Sequence, residues 1–145
     1  MAYLFVLLAI LVPVISLLTD TDDWVLHSGK YYKYFSTPKT WQAAEDSCLS
    51  VNAQLVSFQS NDDEYTIVQW AMPNKFWIGA YLADGFMFTW TDKSVVDWSN
   101  FSFKDNFNQT ACGSVNFPYK NATHYWGKTS CTENLPFMCK LKAVQ

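Results

Sequence analysis

Few side chains in this chain have the type and spacing to do chemistry. The two histidines, His27 and His124, are each flanked by strand-like apolar residues, a setting for a hydrogen-bonded imidazole more than for a general base or zinc ligand. The four cysteines, Cys48, Cys112, Cys131 and Cys139, include no C-x-x-C pair, so neither a zinc ribbon nor a dithiol redox site is expected. Their even number fits two disulfides, and three pairings remain open at this point. With all four oxidised, no thiol nucleophile is left. Asp62-Asp63-Glu64 reads as the start of a helix, where negative charge meets the positive end of the dipole, and not as an acid–base pair. The cluster Asp20, Asp22 and Asp23 reads as a solvated segment. No G-x-S-x-G, H-E-x-x-H, phosphate-binding loop or dinucleotide fingerprint occurs. These residues point to binding and away from catalysis, with no catalytic residue, cofactor or metal site expected.

A second set of residues concerns surface and recognition. Three sequons, Asn100-Phe-Ser, Asn108-Gln-Thr and Asn121-Ala-Thr, are acceptors for N-glycans if the chain is exported, and they put residues 100–123 on the surface. Phe101, Phe103 and Phe107 stand in the polar stretch around the first two sequons, either covering the core or offering a ring for a ligand to stack on. Trp41, Trp70, Trp77, Trp90, Trp98 and Trp126 lie in or beside regular elements and are expected in the core.

Length and charge narrow the class further. The 145 residues suffice for one domain. All ten cations are lysine and the net charge is −3, which excludes the basic, arginine-forked surface that nucleic acid needs and gives no support to an anionic membrane as partner. From Met1 to Leu18 only Pro13 and Ser16 fall outside the apolar set. That run is slightly short for a spanning helix and is read as a signal peptide over residues 1–18, leaving an extracellular domain with no membrane contact after cleavage.

The elements that must position these residues follow from local pattern. Trp24–His27 and Lys30–Phe35 read as strands around a Ser28-Gly29 turn. Thr40 can cap a helix whose Trp41, Ala44 and Cys48 form one apolar stripe. Gln54–Phe58 reads as a strand, and Ser60 opens a second helix with Ile67, Val68 and Ala71 on its apolar face and Pro73 as its stop. Phe76–Ala80 and Phe86–Trp90 read as strands about Asp84-Gly85, followed by Ser114–Phe117, His124–Trp126 and Pro136–Leu141. Trp98 to Cys112 has no clean period and reads as a long loop. Helices early and strands late indicate an α+β fold.

In order along the chain, these residues resemble the C-type lectin-like domains. The match runs from Trp24 to Lys140 and includes Lys30-Tyr31-Tyr32-Lys33-Tyr34-Phe35, Trp41 through Cys48 (WQAAEDSC) and Ala53 through Ser57 (AQLVS). It continues through Trp77-Ile78-Gly79, Phe88-Thr89-Trp90, Trp98, Cys112, Trp126, Cys131 and Phe137-Met138-Cys139-Lys140. The resemblance implies a double-looped α+β domain over residues 24–141, with two helices, antiparallel strands and close termini. It also implies the pairs Cys48–Cys139 and Cys112–Cys131, which on a chain-entropy account contribute roughly 4–5 and 3 kcal/mol. Tyr31 stands where longer members carry a further cysteine, so this resembles the short form.

The resemblance implies a secreted, non-catalytic module that recognises extracellular glycans or glycoproteins, with an extracellular protein as the alternative partner. Members that hold sugar through calcium use Glu-Pro-Asn or Gln-Pro-Asp in the long loop, an acidic residue just before the cysteine matched by Cys112, and Trp-Asn-Asp before the one matched by Cys131. Here those positions hold Ser102-Phe103-Lys104, Thr110, and Trp126-Gly127-Lys128. Calcium takes six to eight oxygens, several from carboxylates, and these residues remove both the oxygens and the countercharge. Asp105 and Asn106 offer oxygens after a slip of one or two residues but lack partners at 127 and 128. The candidate ligand face is therefore Ser102, Phe103, Lys104, Asp105, Asn106 and Lys128, acting without calcium.

Overall fold

The computed structural model describes residues 24–72, 74–82, 87–96, 111–117 and 124–142. Its first hairpin joins β1 (Val25–His27) to β2 (Lys30–Lys39) through Ser28 and Gly29, both left-handed at φ 48° and 75°. Two consecutive positive φ angles make the type I′ turn whose twist suits a two-residue hairpin. β2 runs past the expected Phe35, because its pairing with β8 (Leu135–Leu141) slips between Phe35 and Lys39 and then resumes. Pro38, with no N–H to donate, lies within that slip.

Helix α1 (Trp41–Ser50) starts where Thr40 accepts a hydrogen bond from the Ala43 N–H at 3.3 Å. Its buried face is Trp41, Ala44, Glu45 and Cys48, which includes the apolar stripe visible in the sequence. Glu45 is the unexpected member. It accepts the Leu55 N–H at 2.9 Å, and burial pushes its carboxyl above the ordinary value. Strand β3 (Ala53–Leu55) ends earlier than the sequence suggests. At Val56 the N–H still donates to Met138 O of β8, but the carbonyl turns to accept from the Gly79 N–H.

Helix α2 (Asn61–Gln69) is capped by Ser60, which accepts from the Asp63 N–H at 3.2 Å. Asp62, Asp63 and Glu64 fill its first turn, as their charge favours. The helix closes at Trp70, and the expected stop at Pro73 lies outside the described residues. The remaining strands are β4 (Phe76–Leu82), β5 (Phe88–Trp90), β6 (Cys112–Asn116) and β7 (Tyr125–Thr129). The Asp84-Gly85 turn and residues 97–110 of the expected long loop also lie outside the described residues.

The strands form one sheet in the order β1-β2-β8-β4-β6-β7, with β3 on β8 and β5 on β4. All pairings are antiparallel except β4 with β8, which run parallel where Trp77 meets Phe137. One core cluster gathers Trp41, Ala44 and Cys48 of α1 with Leu55, Trp77 and Phe137. The other gathers Ile67 and Val68 of α2 with Phe58, Ile78, Trp90, Trp126 and Met138. Cys48 is bonded to Cys139 and Cys112 to Cys131, with Cα atoms 5.5 and 5.1 Å apart. Trp41, Trp77, Trp90 and Trp126 are buried. Trp70 is not: it keeps 37% of its surface exposed at the end of α2, edge-on to His27 and Tyr32, against the expectation of a core position. Trp98 lies outside the described residues.

Candidate functional site

Strand β7 carries the described part of the site. It pairs with β6 so that Val115 faces Trp126, Ser114 faces Gly127 and Gly113 faces Lys128. Ser114 and Thr129 join their hydroxyls at 2.8 Å across the pair, and the Cys112–Cys131 bridge closes its end. A side chain at Gly127 would have to displace the Asn116 carboxamide, which lies against the position of a Cβ there. That amide is itself held by donation to Ser114 O and Oγ at 3.2 and 3.1 Å. Lys128 places its ammonium 5.9 Å from the centre of the Phe88 ring. Positions 127 and 128 thus bring no side-chain oxygen for a metal, and the Lys128 ammonium is itself buried.

Behind β7 lies a buried charge. Glu64 of α2 is fully buried, and its Oε1 accepts the Trp126 Nε1–H at 2.5 Å and lies 2.8 Å from His124 Nε2. The His124 side chain is itself 6% exposed. Acceptance by a carboxylate requires the proton of that imidazole edge to sit on Nε2. The Trp126 indole is wedged between Trp90, at a ring distance of 5.1 Å, and Phe58, at 6.0 Å. One carboxylate therefore fixes both the start of β7 and the tryptophan two residues before Lys128.

A second polar network holds the segment leading toward residues 97–110. The Lys140 ammonium lies 3.2 Å from Asp92 Oδ2 and donates to Ser57 O at 3.1 Å and to Ser57 Oγ. Asp92 accepts from the Ser94 N–H at 2.9 Å and from the Ser94 hydroxyl, and Gln59 donates to Ser94 Oγ at 2.7 Å. Burial opposes ionisation of Asp92, but hydrogen bonds from Ser57 and Ser94 and the charge of Lys140 outweigh it and hold its carboxyl below the ordinary 3.8. Burial pulls the Lys140 ammonium down, against the pull of Asp92 in the other direction. His27 makes a lesser pair with Asp63 at 3.2 Å.

Of the candidate ligand residues, only Lys128 is described; Ser102, Phe103, Lys104, Asp105 and Asn106, with Asn100, Asn108 and Asn121, fall outside the described residues. Glu64, Asp92 and Lys140 were missed by sequence reasoning as buried charges. Glu64 did leave a signal, because it lies at i with Ile67, Val68 and Ala71 at i+3, i+4 and i+7, a charge on the apolar stripe. Among the described residues, no three of His, Cys, Asp and Glu gather as a metal site.

The comparisons with known proteins agree with this geometry. The family model of the lectin C-type domain matches residues 37–141. A C-type isolectin, Sp-CL4 of Scorpaena plumieri, is 32% identical over 132 residues, covering 81% of this chain and 85% of that one. A C-type lectin galactose-binding isoform of Pseudechis australis is 33% identical, covering 83% and 82%. Among solved structures, the C-type lectin CEL-I of Cucumaria echinata superposes with a TM-score of 0.71 at 26% identity, over 83% of this chain and 96% of that chain. The chain belongs to the lectin C-type domain family.

Two outcomes follow from the buried charges. Replacing Glu64 by Ala strands the indole N–H and the imidazole, so unfolding free energy should fall by about 3 kcal/mol or more, while Glu64→Gln, which keeps an acceptor, should lose less. Urea denaturation of both variants checks this. Asp92 has a folded pKa below its unfolded value, so its contribution is complete above that value and disappears as pH falls through the folded one. The Asp92→Asn variant should therefore lose stability less steeply than wild type below pH 3.8, read as the urea midpoint against pH.

Proposed function

We propose that this domain is a secreted, non-catalytic recognition module that binds glycans of extracellular glycoproteins through its long-loop face, without calcium. The observation that carries the reading is the β7 sequence Trp126-Gly127-Lys128, with the Asn116 amide against Gly127 and the Lys128 ammonium near Phe88. A divalent cation needs several hard oxygens, and neither Gly127 nor Lys128 has a side-chain oxygen to give. Support for glycans as the ligand comes from the family and from the Pseudechis relative, which is galactose-binding by name. In this reading residues 1–18 are the signal peptide, the cysteines are oxidised in the secretory route, and Asn100, Asn108 and Asn121 carry glycans.

A second reading is a calcium-independent protein-binding module on the same face. It draws on Met87 and Val95, 75% and 73% exposed, apolar side chains at the two ends of the segment next to the long loop.

A glycan array probed in calcium and again in chelator tests the proposal. Binding to a defined set of glycans should be equal in the two conditions and weaker for Lys104→Ala; loss of binding in chelator contradicts calcium independence, and no glycan bound in either condition favours the protein-binding reading. Glycans on Asn100 and Asn108 would sweep over Ser102–Asn106, so Asn100→Gln, Asn108→Gln and their double variant should bind more strongly. Unchanged binding with intact solubility removes this loop as the contact, whereas aggregation without altered binding assigns the glycans to covering Phe101, Phe103 and Phe107.

A further inference from the structure

Where α2 meets the first hairpin, an indole stands at the surface beside a partly exposed ion pair. His27 and its cross-strand partner Lys30 share one face of the hairpin with Val25 and Tyr32. Tyr32 is buried, and Trp70 meets it and His27 edge-on, with ring centres 6.3 and 6.5 Å away and planes 71° and 89° apart. Neither neighbour lies flat on the indole, which keeps over a third of its residue surface exposed. A large ring held by a buried neighbour is a preorganised apolar surface.

Asp63 and Trp70 stand at i and i+7, on one stripe of α2. Asp63 Oδ1 lies 3.2 Å from His27 Nε2, and both side chains reach solvent. Burial opposes ionisation of Asp63, but hydrogen bonds from Ser28 and Ser60 and the charges of Lys30 and His27 hold its carboxyl below the ordinary 3.8. A carboxylate accepts about four hydrogen bonds, and Ser28, Ser60 and His27 account for three of them. A neutral His27 that donates from Nε2 to Asp63 has Nδ1 as an acceptor.

We infer that Trp70, His27 and Asp63 form a second sugar-binding site, separate from the long-loop face. The C–H face of a neutral pyranose lies on the Trp70 indole, while its hydroxyls donate to Asp63 and to His27 Nδ1. The charge balance selects this ligand. Lys30 and His27 already offset the Asp63 carboxylate, so a cation gains little there and an anion meets a carboxylate. A purely apolar ligand would cover the acceptors and leave them unpaired. A pyranose carries an apolar face and hydroxyl donors on one small ring. In a β-galactoside the axial O4 leaves C3–H, C4–H and C5–H together on one face, which suits a flat indole. This site does not rest on the long-loop reading, since none of its residues belongs to that loop.

Nitrogen–proton correlation spectra, with the His27 ring signals, test the site during titration with methyl β-galactopyranoside. The Trp70 indole N–H peak, identified by its loss in Trp70→Phe, should shift to saturation with a Kd on the order of 1–10 mM. The His27 ring signals should follow with the same Kd, persist in Trp70→Phe, and stop responding in Trp70→Ala. Asp63→Ala should weaken binding by about tenfold, through loss of a charge-assisted bond. Galactitol, which has the hydroxyls but no ring face, should leave Trp70 unmoved. An indole peak that stays still at about 100 mM glycoside overturns the proposal. So does an equal shift with galactitol, or a His27 response that survives Trp70→Ala. Sugar bound at the long-loop face would instead move β7 amides such as that of Lys128 and would survive Trp70→Ala, so the two sites fail separately.

Discussion

The last strand of the chain has to reach the middle of the sheet, and the rest of the structure depends on that. β8 lies between β2 and β4 and takes β3 as well, so it touches the beginning, middle and end of the fold. Cys139 within it is bonded to Cys48 of α1 across a sequence separation of 91, which ties the covalent cross-link to the same strand. Until β8 docks, α1 covers no completed sheet face and Leu55, Trp77 and Phe137 have no common partner. Pairings this distant in sequence are costly in loop-closure entropy, and a long disulfide loop lowers the entropy of the unfolded chain.

What the sheet positions is a site held from behind. Glu64, on a helix near the middle of the chain, fixes Trp126 and His124 near its end, which gives β7 a rigid backing. Lys140, the residue after the disulfide cysteine on β8, does the same for Asp92 and Ser94 at the approach to the long loop. Lys140 meets the opposite charge of Asp92 and Glu64 meets hydrogen-bonding groups of Trp126 and His124, the kind of partner a low-dielectric interior demands of a buried polar group. The domain thus spends its polar interior groups on the loop-bearing side, while its α1 side is mostly apolar, with the carboxylate of Glu45 as the exception.

Much of this was legible in the sequence, and the parts that were not share a cause. Thr40 and Ser60 marked both helix starts to the residue, because capping is decided by local chemistry. The Ser28-Gly29 turn was legible for the same reason. The ends of β2 and β3 were not, since they are set by where β8 and β4 offer hydrogen-bond partners. Trp70 was misread because residue type alone cannot tell a helix's last, half-open position from its core face. Glu64 read only as a helix-start charge and Asp92 and Lys140 were given no role of their own, because only the tertiary arrangement brings their partners to them from 62, 35 and 83 residues away. Of the candidate ligand face, Lys128 alone is within the described residues.

The proposed calcium independence rests on Gly127 and Lys128, which bring no side-chain oxygen to β7. Its most direct test is the melting temperature in millimolar calcium against the same protein in chelator. A ligand present at 100 times its Kd and bound only to the folded state adds about 2.7 kcal/mol, which for a domain of this size is a shift of several degrees. The account predicts coincident melting curves. A curve raised by several degrees in calcium would contradict it.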